Sequence, residues 1–329
     1  MEIGKLPNQL LERLVIENIK NKRDEVLVRS AIGEDTAILD LKGDLCVLST
    51  DPITGATKDI GNLAVHISCN DIATSGGEPV VILLSILAPA GTSEEEIEDI
   101  MVQAGKAAEE LNVEIAGGHT EITDAVNRIV INTTAIGRLD KNRLAKTDDI
   151  KPGDKILLTK YGGIEGTSII ASELEEKLLP ILGGEKIEAA KAMKSMLSVL
   201  KDGMISSKIG VKYMHDITEG GILGAVWEAA KASGHGVRID KDLVPFKDIT
   251  VEIGNILDID IYKLISSGSM IIIADEINSK EIIEKLSLED IKCTEIGEVI
   301  KEGIEMLEDG KIKRISAPKS DELYRALSF

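Results

Sequence analysis

Apolar residues recur at helical spacing in some segments of the chain and as short continuous runs in others, and the two patterns alternate. Spacings of three and four predict amphipathic helices, and short apolar runs bounded by turn residues predict strands. In the first half, helices are predicted at 6–20, 60–74 and 93–111. Strands are predicted there at 26–28, 37–41, 45–50, 80–87, 113–116 and 128–139. The run 80–87 is apolar throughout, which is typical of a strand buried on both faces.

The same alternation continues beyond the turn Lys151-Pro152-Gly153-Asp154. The pattern predicts strands at 155–159, 266–275 and 296–300, and helices after 161–167, at 186–200, 206–209, 222–230 and 279–286, and after Ser320. Alternating strands and helices in both halves predict an α+β architecture with two comparable lobes. The turn is the predicted boundary between an N-terminal domain of residues 1–150 and a C-terminal domain of residues 151–329.

Composition narrows the class of protein. The chain has 329 residues, of which 43% are apolar, and a formal charge of -19. Such a charge argues against nonspecific binding to nucleic acid or to an anionic membrane. No leader peptide or membrane-spanning segment is apparent, so a cytoplasmic location is expected. The three cysteines are far apart and are expected to be small buried residues: Cys46, Cys69 and Cys293.

Three short stretches place aspartates beside glycines or at the ends of elements. They are Gly33-Glu34-Asp35-Thr36-Ala37, Ser49-Thr50-Asp51-Pro52, and the segment 70–79 that begins with Asn70-Asp71. Magnesium prefers carboxylate oxygens, water and substrate phosphates, so converging aspartates would suit a metal-bound nucleotide. Ordinary turn or cap chemistry explains any one of these stretches equally well. Their order and spacing are more informative than their composition.

Glycine-rich turns supply candidate phosphate contacts. Tyr161-Gly162-Gly163 and the loop 213–221 each lead into a predicted helix, whose N-terminus can bind an anion. Gly117-Gly118-His119-Thr120-Glu121 follows a predicted strand, and its histidine is expected to lie in a loop with a role in the site. His66 and His215 are expected to be structural. Lys146 and Lys160 could add positive charge, although surface positions are expected for both.

Taken in order, these motifs resemble the aminoimidazole ribonucleotide synthetase superfamily. The resemblance covers residues 30–300 and includes Lys151-Pro152-Gly153-Asp154, His215-Asp216-Ile217-Thr218-Glu219-Gly220-Gly221 and Ser266-Ser267-Gly268 beside the stretches above. Within the superfamily the chain is most similar to the hydrogenase maturation factor branch, whose members are carbamoyl dehydratases. The segment Asp59-Ile60-Gly61-Asn62-Leu63-Ala64-Val65 carries that likeness.

The resemblance implies a homodimer in which the N-terminal lobes form a shared barrel, with ATP and Mg²⁺ bound between lobes. It implies transfer of the γ-phosphate to an oxygen, often that of an amide or carbonyl group. The implied metal ligands are Asp35, Asp51, Asp71 and Asp216. The implied nucleotide-binding residues are Gly33, Asp35, Asp51, Asp71, Gly117, Gly118, Gly220 and Gly221. His119 and Glu121 are the candidate catalytic residues, although Glu121 could equally be a solvated acid.

The chain departs from the family pattern in ways that concern the substrate. It ends in Arg325-Ala326-Leu327-Ser328-Phe329, where the hydrogenase maturation factor has a Pro-Arg-Ile-Cys tail whose thiol carries the group that is dehydrated. The nitrile-forming reaction on the chain's own C-terminus is therefore not expected. Thiamine monophosphate kinase has an aspartate where His119 stands. Selenophosphate synthetase matches Gly-Gly-His-Thr better, but it has a reactive Cys or selenocysteine in an N-terminal arm that lacks one here.

Three functions remain open from the sequence. The first is an ATP- and Mg²⁺-dependent enzyme that acts on a small-molecule or protein-bound amide and that could have a protein partner in a maturation complex. The second is a nucleotide-binding regulatory paralogue within such a complex. The third is a small-molecule kinase similar to thiamine monophosphate kinase. Turnover of ATP separates the enzyme from the regulatory paralogue. His119 is the feature that argues against a kinase similar to thiamine monophosphate kinase.

Overall fold

The computed structural model describes residues 26–28, 33, 37–39, 43–54, 58–317 and 320–329. The helix predicted at 6–20 and the predicted ligand Asp35 lie outside the described residues. The remaining elements form two lobes, each built on one sheet, and the predicted α+β class is confirmed.

The first lobe contains a six-stranded sheet in the order β1-β2-β3-β6-β4-β5. Its strands are β1 (Val26–Val28), β2 (Ala37–Leu39), β3 (Leu45–Ile53), β4 (Glu78–Ala88), β5 (Glu114–Ile122) and β6 (Val130–Leu139). Neighbouring strands are antiparallel except β4 and β5, which are parallel. A parallel pair needs a crossover connection, and helix α2 (Glu94–Glu110) supplies it.

Two helices cover one face of this sheet. Helix α1 (Ile60–Thr74) has the bounds that the spacing predicted, and nearly all its residues are buried because it lies between the sheet and the second lobe. Helix α2 begins with a capping box, in which Ser93 accepts from the backbone of Glu96 and Glu96 accepts from the backbone of Ser93. Both helices pack on apolar side chains of the sheet such as Ile82 and Ile131, which are fully buried.

The expectation that the apolar run 80–87 is buried on both faces is wrong for the single chain. Ile82, Leu84 and Ile86 point into the core, whereas Val80 and Leu83 are 42% and 40% exposed. Successive side chains of a regular strand point to opposite faces, which places Leu83 opposite Ile82 and Leu84, and the helices in the described part of the chain cover only one face of this sheet. Val80 lies at an irregularity of the strand, where the register with β6 shifts between Pro79 and Val81. The other face therefore keeps apolar side chains at the surface of the chain.

The second lobe contains a seven-stranded sheet in the order β13-β12-β9-β11-β7-β10-β8. Its strands are β7 (Lys155–Thr159), β8 (Tyr213–Asp216), β9 (Gly236–Asp240), β10 (Met270–Ala274), β11 (Cys293–Ile300), β12 (Ile304–Glu308) and β13 (Lys311–Arg314). Its helices are α3 (Ile164–Glu173), α4 (Glu175–Leu182), α5 (Gly184–Lys191), α6 (Leu200–Ile209), α7 (Gly221–Ser233), α8 (Asp248–Leu257), α9 (Glu276–Ser287) and α10 (Glu322–Leu327).

Helices cover both faces of the second sheet. Helix α7 packs on one face and helices α6 and α9 pack on the other, while α3, α4, α5, α8 and α10 share a separate apolar cluster. The continuous helix predicted at 186–200 is wrong, because α5 ends at Lys191 and a short 3-10 turn follows. The residues after this turn, Leu197 and Val199, hydrogen-bond to a side chain of the first lobe through their backbone, which is incompatible with a continuous helix.

That side chain is Asn70 of α1, which joins the two lobes. Its Nδ2 donates to Leu197 O at 2.8 Å, and its Oδ1 accepts from Val199 N at 2.9 Å. Close to these bonds, helix α6 approaches α1 so tightly that a Cβ on Gly203 would lie 2.1 Å from Ala73 O. The lobes are thus joined by buried polar contacts and by direct backbone packing.

No helix in the described part of the chain has both the length and the apolar character needed to cross a bilayer.

Candidate functional site

A cleft of about 330 Å³ lies between the two lobes. The first lobe lines it with β3, the residues that follow β3, and α1. The second lobe lines it with α3, the turn before α7, the residues before β10 and the start of α10. The lining residues are Asp51, Pro52, Ile53, Thr54, Leu63, Ile67, Glu165, Ile169, Thr218, Glu219, Ile265, Ser267, Asp321, Leu323 and Tyr324. A concave site that combines apolar walls with a few polar groups is typical of small-molecule binding.

The structure places Asp51 and Asp71 at the same side of the first sheet. Asp51 and Ser49 are two residues apart on β3 and share its helix-covered face. The Ser49 hydroxyl donates a short hydrogen bond to Asp71 on α1. Asp51 lines the cleft, whereas Asp71 is 8% exposed. The nearby Cys69 thiol has its pKa raised to about 12, first by burial and then by Asp71. Cys69 is buried as predicted, whereas Cys46 and Cys293 are only partly buried, so the expectation is wrong for these two.

Asp216 ends strand β8 of the second lobe and is fully buried. Strand β8 contacts α1, which carries Asp71, so the two predicted ligands lie on elements that pack together. Next to Asp216, the His215 Nε2 lies 2.8 Å from Glu228 Oε2 of α7, which fits the structural role expected for this histidine. Within the part of the chain that the structure describes, no group of three or more His, Cys, Asp or Glu side chains is ready to hold a metal ion. The predicted metal set therefore stays a prediction.

Gly33 lies where the first lobe meets the second. Its carbonyl accepts from the Tyr213 hydroxyl at 2.9 Å, and a Cβ would lie 3.0 Å from Glu228 O. Its φ of +82° favours glycine as well. The left-handed conformation and the close approach to the second lobe together explain why a glycine stands at position 33.

Two glycines stand at the start of α7, Gly220 at its N-cap and Gly221 as its first residue, and both have a positive φ. The Gly220 amide donates to Asp321 Oδ2 at 2.7 Å, and the Gly221 amide donates to Thr218 O at 3.1 Å. A Cβ on Gly221 would lie 2.7 Å from the carbonyls of Leu264 and Tyr262. In this structure both amides have protein acceptors, so their predicted contacts with phosphate would require these bonds to be exchanged.

His119 does not lie in a loop as the sequence suggested, because β5 continues through it to Ile122. His119 Nε2 lies 3.3 Å from Glu121 Oε2, and the two side chains are 65% and 52% exposed. The strand registers place His119 in a row with Ser85, Asn132 and Pro52. It is thus three strand spacings, about 14 Å, from β3.

The two candidate catalytic residues also lie on the opposite face of the sheet from Asp51. Pro52 follows Asp51 directly, so its row faces the side of the sheet that is not covered by helices. One chain therefore does not bring His119 and Glu121 together with Asp51 and Asp71. Their catalytic role stays a prediction.

The glycines before His119 differ in their surroundings. A Cβ on Gly118 would lie 1.8 Å from Leu84 O of the neighbouring strand, whereas one on Gly117 would meet only Leu83 Cδ2 at 3.5 Å. Gly118 is therefore required for the pairing of β5 with β4. Gly117 has no such constraint.

The expected surface position of Lys160 is wrong, whereas Lys146 is exposed as expected. Lys160 is 12% exposed, and its Nζ donates to both carboxylate oxygens of Asp202 and to the carbonyls of Ser198 and Gly268, at 2.8–2.9 Å. Because its donors are used within the protein, Lys160 stabilises the second lobe rather than offering charge to a ligand.

Sequence reasoning missed Glu165, which the structure places in the cleft. It lies in the first turn of α3, is 5% exposed and also lines an adjoining cavity of about 280 Å³. Burial raises the pKa of its carboxyl to about 7, and the Asp321 and Asp51 carboxylates add to the rise, although Ser267 opposes it. Burial likewise raises the pKa of Asp321 to about 6, despite three backbone amides that favour its charged form. The only sequence signal for Glu165 was its place just after Gly162-Gly163.

Known proteins resemble the chain over both lobes. The AIR synthase related protein N-terminal domain matches residues 33–139, and the corresponding C-terminal domain matches residues 151–309. A putative hydrogenase expression/formation protein from Methanocaldococcus jannaschii is 27% identical over 296 residues, which cover 86% of this chain and 84% of the relative. Carbamoyl dehydratase HypE from Escherichia coli K12 is 25% identical over 338 residues, which cover 98% of this chain and 96% of the relative.

Solved structures share the fold. HypE in a crystal structure of a HypE–HypF complex superposes with a TM-score of 0.78 at 23% identity, over 94% of this chain and 99% of that chain. HypE in complex with ATP superposes with a TM-score of 0.73 at 23% identity, over 99% of this chain and 98% of that chain. The two matched domains together span most of the sequence, and the chain therefore belongs to the AIR synthase related protein family.

Proposed function

We propose that the chain is an ATP- and Mg²⁺-dependent enzyme that transfers the γ-phosphoryl group to the oxygen of an amide or carbonyl substrate. The observation that carries the proposal is the interlobe cleft, which Asp51 enters from β3, in a chain whose relatives include carbamoyl dehydratases. An ATP complex of a protein with the same fold supports nucleotide binding.

Asp51 is the described residue best placed to hold Mg²⁺, because its carboxylate lines the cleft. Asp71 and Asp216 would contribute from the packed elements behind it, and Asp35 would contribute from the segment that follows Gly33. Carboxylate oxygens are the ligands that Mg²⁺ prefers when it carries phosphates. The bound ion would offset the negative charge of the phosphates, which this acidic chain cannot do with cleft side chains alone. The protein residues would position the reactants.

We further propose that the chain is a homodimer. Val80 and Leu83 of the first sheet are exposed, and β5 is an edge strand of the sheet that the described residues form. A second copy packed on these residues would cover the apolar side chains and form the barrel that the family resemblance implies. Such a dimer is also the arrangement in which His119 and Glu121 of one chain could approach the site of another. A protein partner is supported by the HypE–HypF complex.

The test is ATP hydrolysis by the purified protein with and without Mg²⁺, with the nucleotide product identified and acetamide and benzamide supplied as acceptors. Asp51→Asn and Asp71→Asn should each lower turnover by orders of magnitude while far-UV circular dichroism stays unchanged. Asp148→Asn is the matched control, because Asp148 is exposed and outside the cleft. Unchanged turnover in both site variants would remove the proposed metal site.

Other outcomes separate the alternatives. Metal-dependent ATP binding without turnover, in the presence of acceptors and partner proteins, would favour the regulatory paralogue. Stoichiometric formation of ADP and a phosphorylated small molecule would favour a kinase. A sedimentation measurement of the mass in solution tests the dimer separately.

A further inference from the structure

The cleft between the lobes carries several carboxyl groups and no basic side chain among the described residues that line it. Its acids are Asp51, Glu165, Glu219 and Asp321. Carboxylates that share a water-poor site repel one another unless a cation or hydrogen-bond donors compensate for them. The hydrogen-bond donors around each carboxyl group therefore indicate where a ligand could bind.

Two of these acids are held by the protein itself. Glu219 Oε1 accepts from the Tyr324 hydroxyl at 2.8 Å. Asp321 accepts from the backbone amides of Gly220, Ile265 and Leu323 at 2.7–3.2 Å, so it caps α10 and secures the turn before α7. Glu219 and Asp321 are thus hydrogen-bonded within the protein and have structural roles.

Glu165 and Ser267 are different. Glu165 is 5% exposed and Ser267 is fully buried, yet Glu165 Oε2 and Ser267 Oγ have no hydrogen-bond partner. The two residues are close enough for Ser267 to lower the pKa of Glu165, but no hydrogen bond of ordinary length forms at these two atoms. Buried polar atoms without partners are rare in native proteins, and here both residues line a cleft that a ligand can enter.

Most of the remaining lining residues are apolar, the exceptions being Thr54 and Thr218. The apolar side chains of the lining include Leu63 and Ile67 from α1 and Ile169 from α3, together with Ile265 and Leu323. These walls suit the hydrocarbon part of a small molecule.

We propose that Glu165 and Ser267 form the binding point for a cationic nitrogen group, such as a protonated amine, on a small molecule with an apolar body. Glu165 Oε2 accepts an N–H bond from the cation, and Ser267 Oγ accepts a second one. A cation is favoured over a neutral amide because it is also attracted by Asp51, Glu219 and Asp321, whereas an amide gains only the hydrogen bonds. Identifying this molecule with the acceptor of the phosphoryl group rests on the proposed function. The binding itself does not.

The test uses three probes of the same length in the absence of nucleotide: n-butylamine, butyramide and butyrate. Binding is measured at pH 8 by saturation-transfer NMR and by titration of chemical shifts of the full chain. We expect n-butylammonium to bind best and butyrate not to bind. Glu165→Gln should weaken n-butylammonium binding about tenfold, and Ser267→Ala should weaken it several-fold. Glu185→Gln is the matched control, since Glu185 is exposed on α5 and outside the cleft.

Two results would overturn the proposal. One is equal binding of n-butylamine and butyramide to the wild-type chain. The other is undiminished binding of n-butylamine to both Glu165→Gln and Ser267→Ala after circular dichroism has shown that each variant is folded. Because nucleotide is absent, these results are independent of ATP turnover. Loss of the proposed function and loss of this inference are therefore distinguishable.

Discussion

Lys160 Nζ lies 2.9 Å from both carboxylate oxygens of Asp202, and both side chains are almost removed from water. The same ammonium group donates to Ser198 O and Gly268 O, each at 2.8 Å. It therefore joins the end of β7, the segment before α6 and the turn before β10. A buried ion pair with all its donors used is a structural junction of the second lobe.

Lys160→Met should strongly destabilise the chain. The substitution leaves the carboxylate of Asp202 buried without its cation, and breaking such a pair costs about 3–5 kcal/mol. Urea unfolding monitored by circular dichroism measures the loss. Lys201→Met is the control, because the pair of Lys201 with Glu289 is exposed and should contribute less than about 1 kcal/mol. Equal effects of the two substitutions would contradict the assignment.

Asn70→Ala should weaken the junction between the lobes. The variant leaves the Leu197 carbonyl and the Val199 amide without their partner in a buried place, at a cost on the order of 3 kcal/mol. Hydrogen exchange should show faster exchange at Val199 than in the wild-type chain. Asn142→Ala, at an exposed position, should change the free energy of unfolding by less than about 0.5 kcal/mol. Unchanged exchange at Val199 would show that Asn70 does not hold this segment.

Gly118→Ala and Gly117→Ala should differ sharply although the residues are neighbours. The new methyl group at 118 would overlap Leu84 O at 1.8 Å, whereas the one at 117 would make an ordinary contact at 3.5 Å. We expect a loss of about 3 kcal/mol or more for Gly118→Ala and a change within about 1 kcal/mol for Gly117→Ala. Thermal unfolding of the two variants measures the difference. Similar values would mean that β5 does not pair as described.

Glu165 should make stability depend on pH between about 4.5 and 7. Its pKa is raised to about 7 in the folded chain, so the folded state binds more protons in this range and its stability falls as pH rises. The free energy of unfolding should fall by an amount on the order of 3 kcal/mol, and the fall should be complete once the pH exceeds the pKa of Glu165 in the folded chain. Asp321 acts in the same direction, and His66, whose pKa burial lowers to about 4, acts in the opposite direction.

The free energy of unfolding of the wild-type and Glu165→Gln chains is measured in urea at several pH values, and the difference between the two chains is the readout. That difference isolates the Glu165 carboxyl from the contributions of Asp321 and His66. Glu165→Gln should gain stability relative to wild type as pH rises from 5 to about 7. A constant difference across this range would contradict the raised pKa.

Local sequence determined the elements whose signals are short-range. The bounds of α1 and β7 and the start of α2 at Ser93 follow from apolar spacing and capping, which involve residues within one or two turns. The ordered motifs also sufficed to identify the family, and the family fixes the two-lobed fold. The stretch Ser49-Thr50-Asp51, which the sequence indicated as part of a site, places Asp51 in the cleft, and the role of Asp51 as a metal ligand stays a prediction.

Tertiary structure alone decided which of these residues meet. Lys160 looked like a surface lysine because its partners, Asp202 and Gly268, are 42 and 108 residues away. His119 looked close to the predicted metal site, but strand order and the alternation of side chains place it three strands from Asp51 and on the opposite face. Glu165 is a candidate for ligand binding only because residues of both lobes surround it in the folded chain. Burial, pairing and the side of a sheet depend on contacts between distant segments, and no local pattern of residues encodes them.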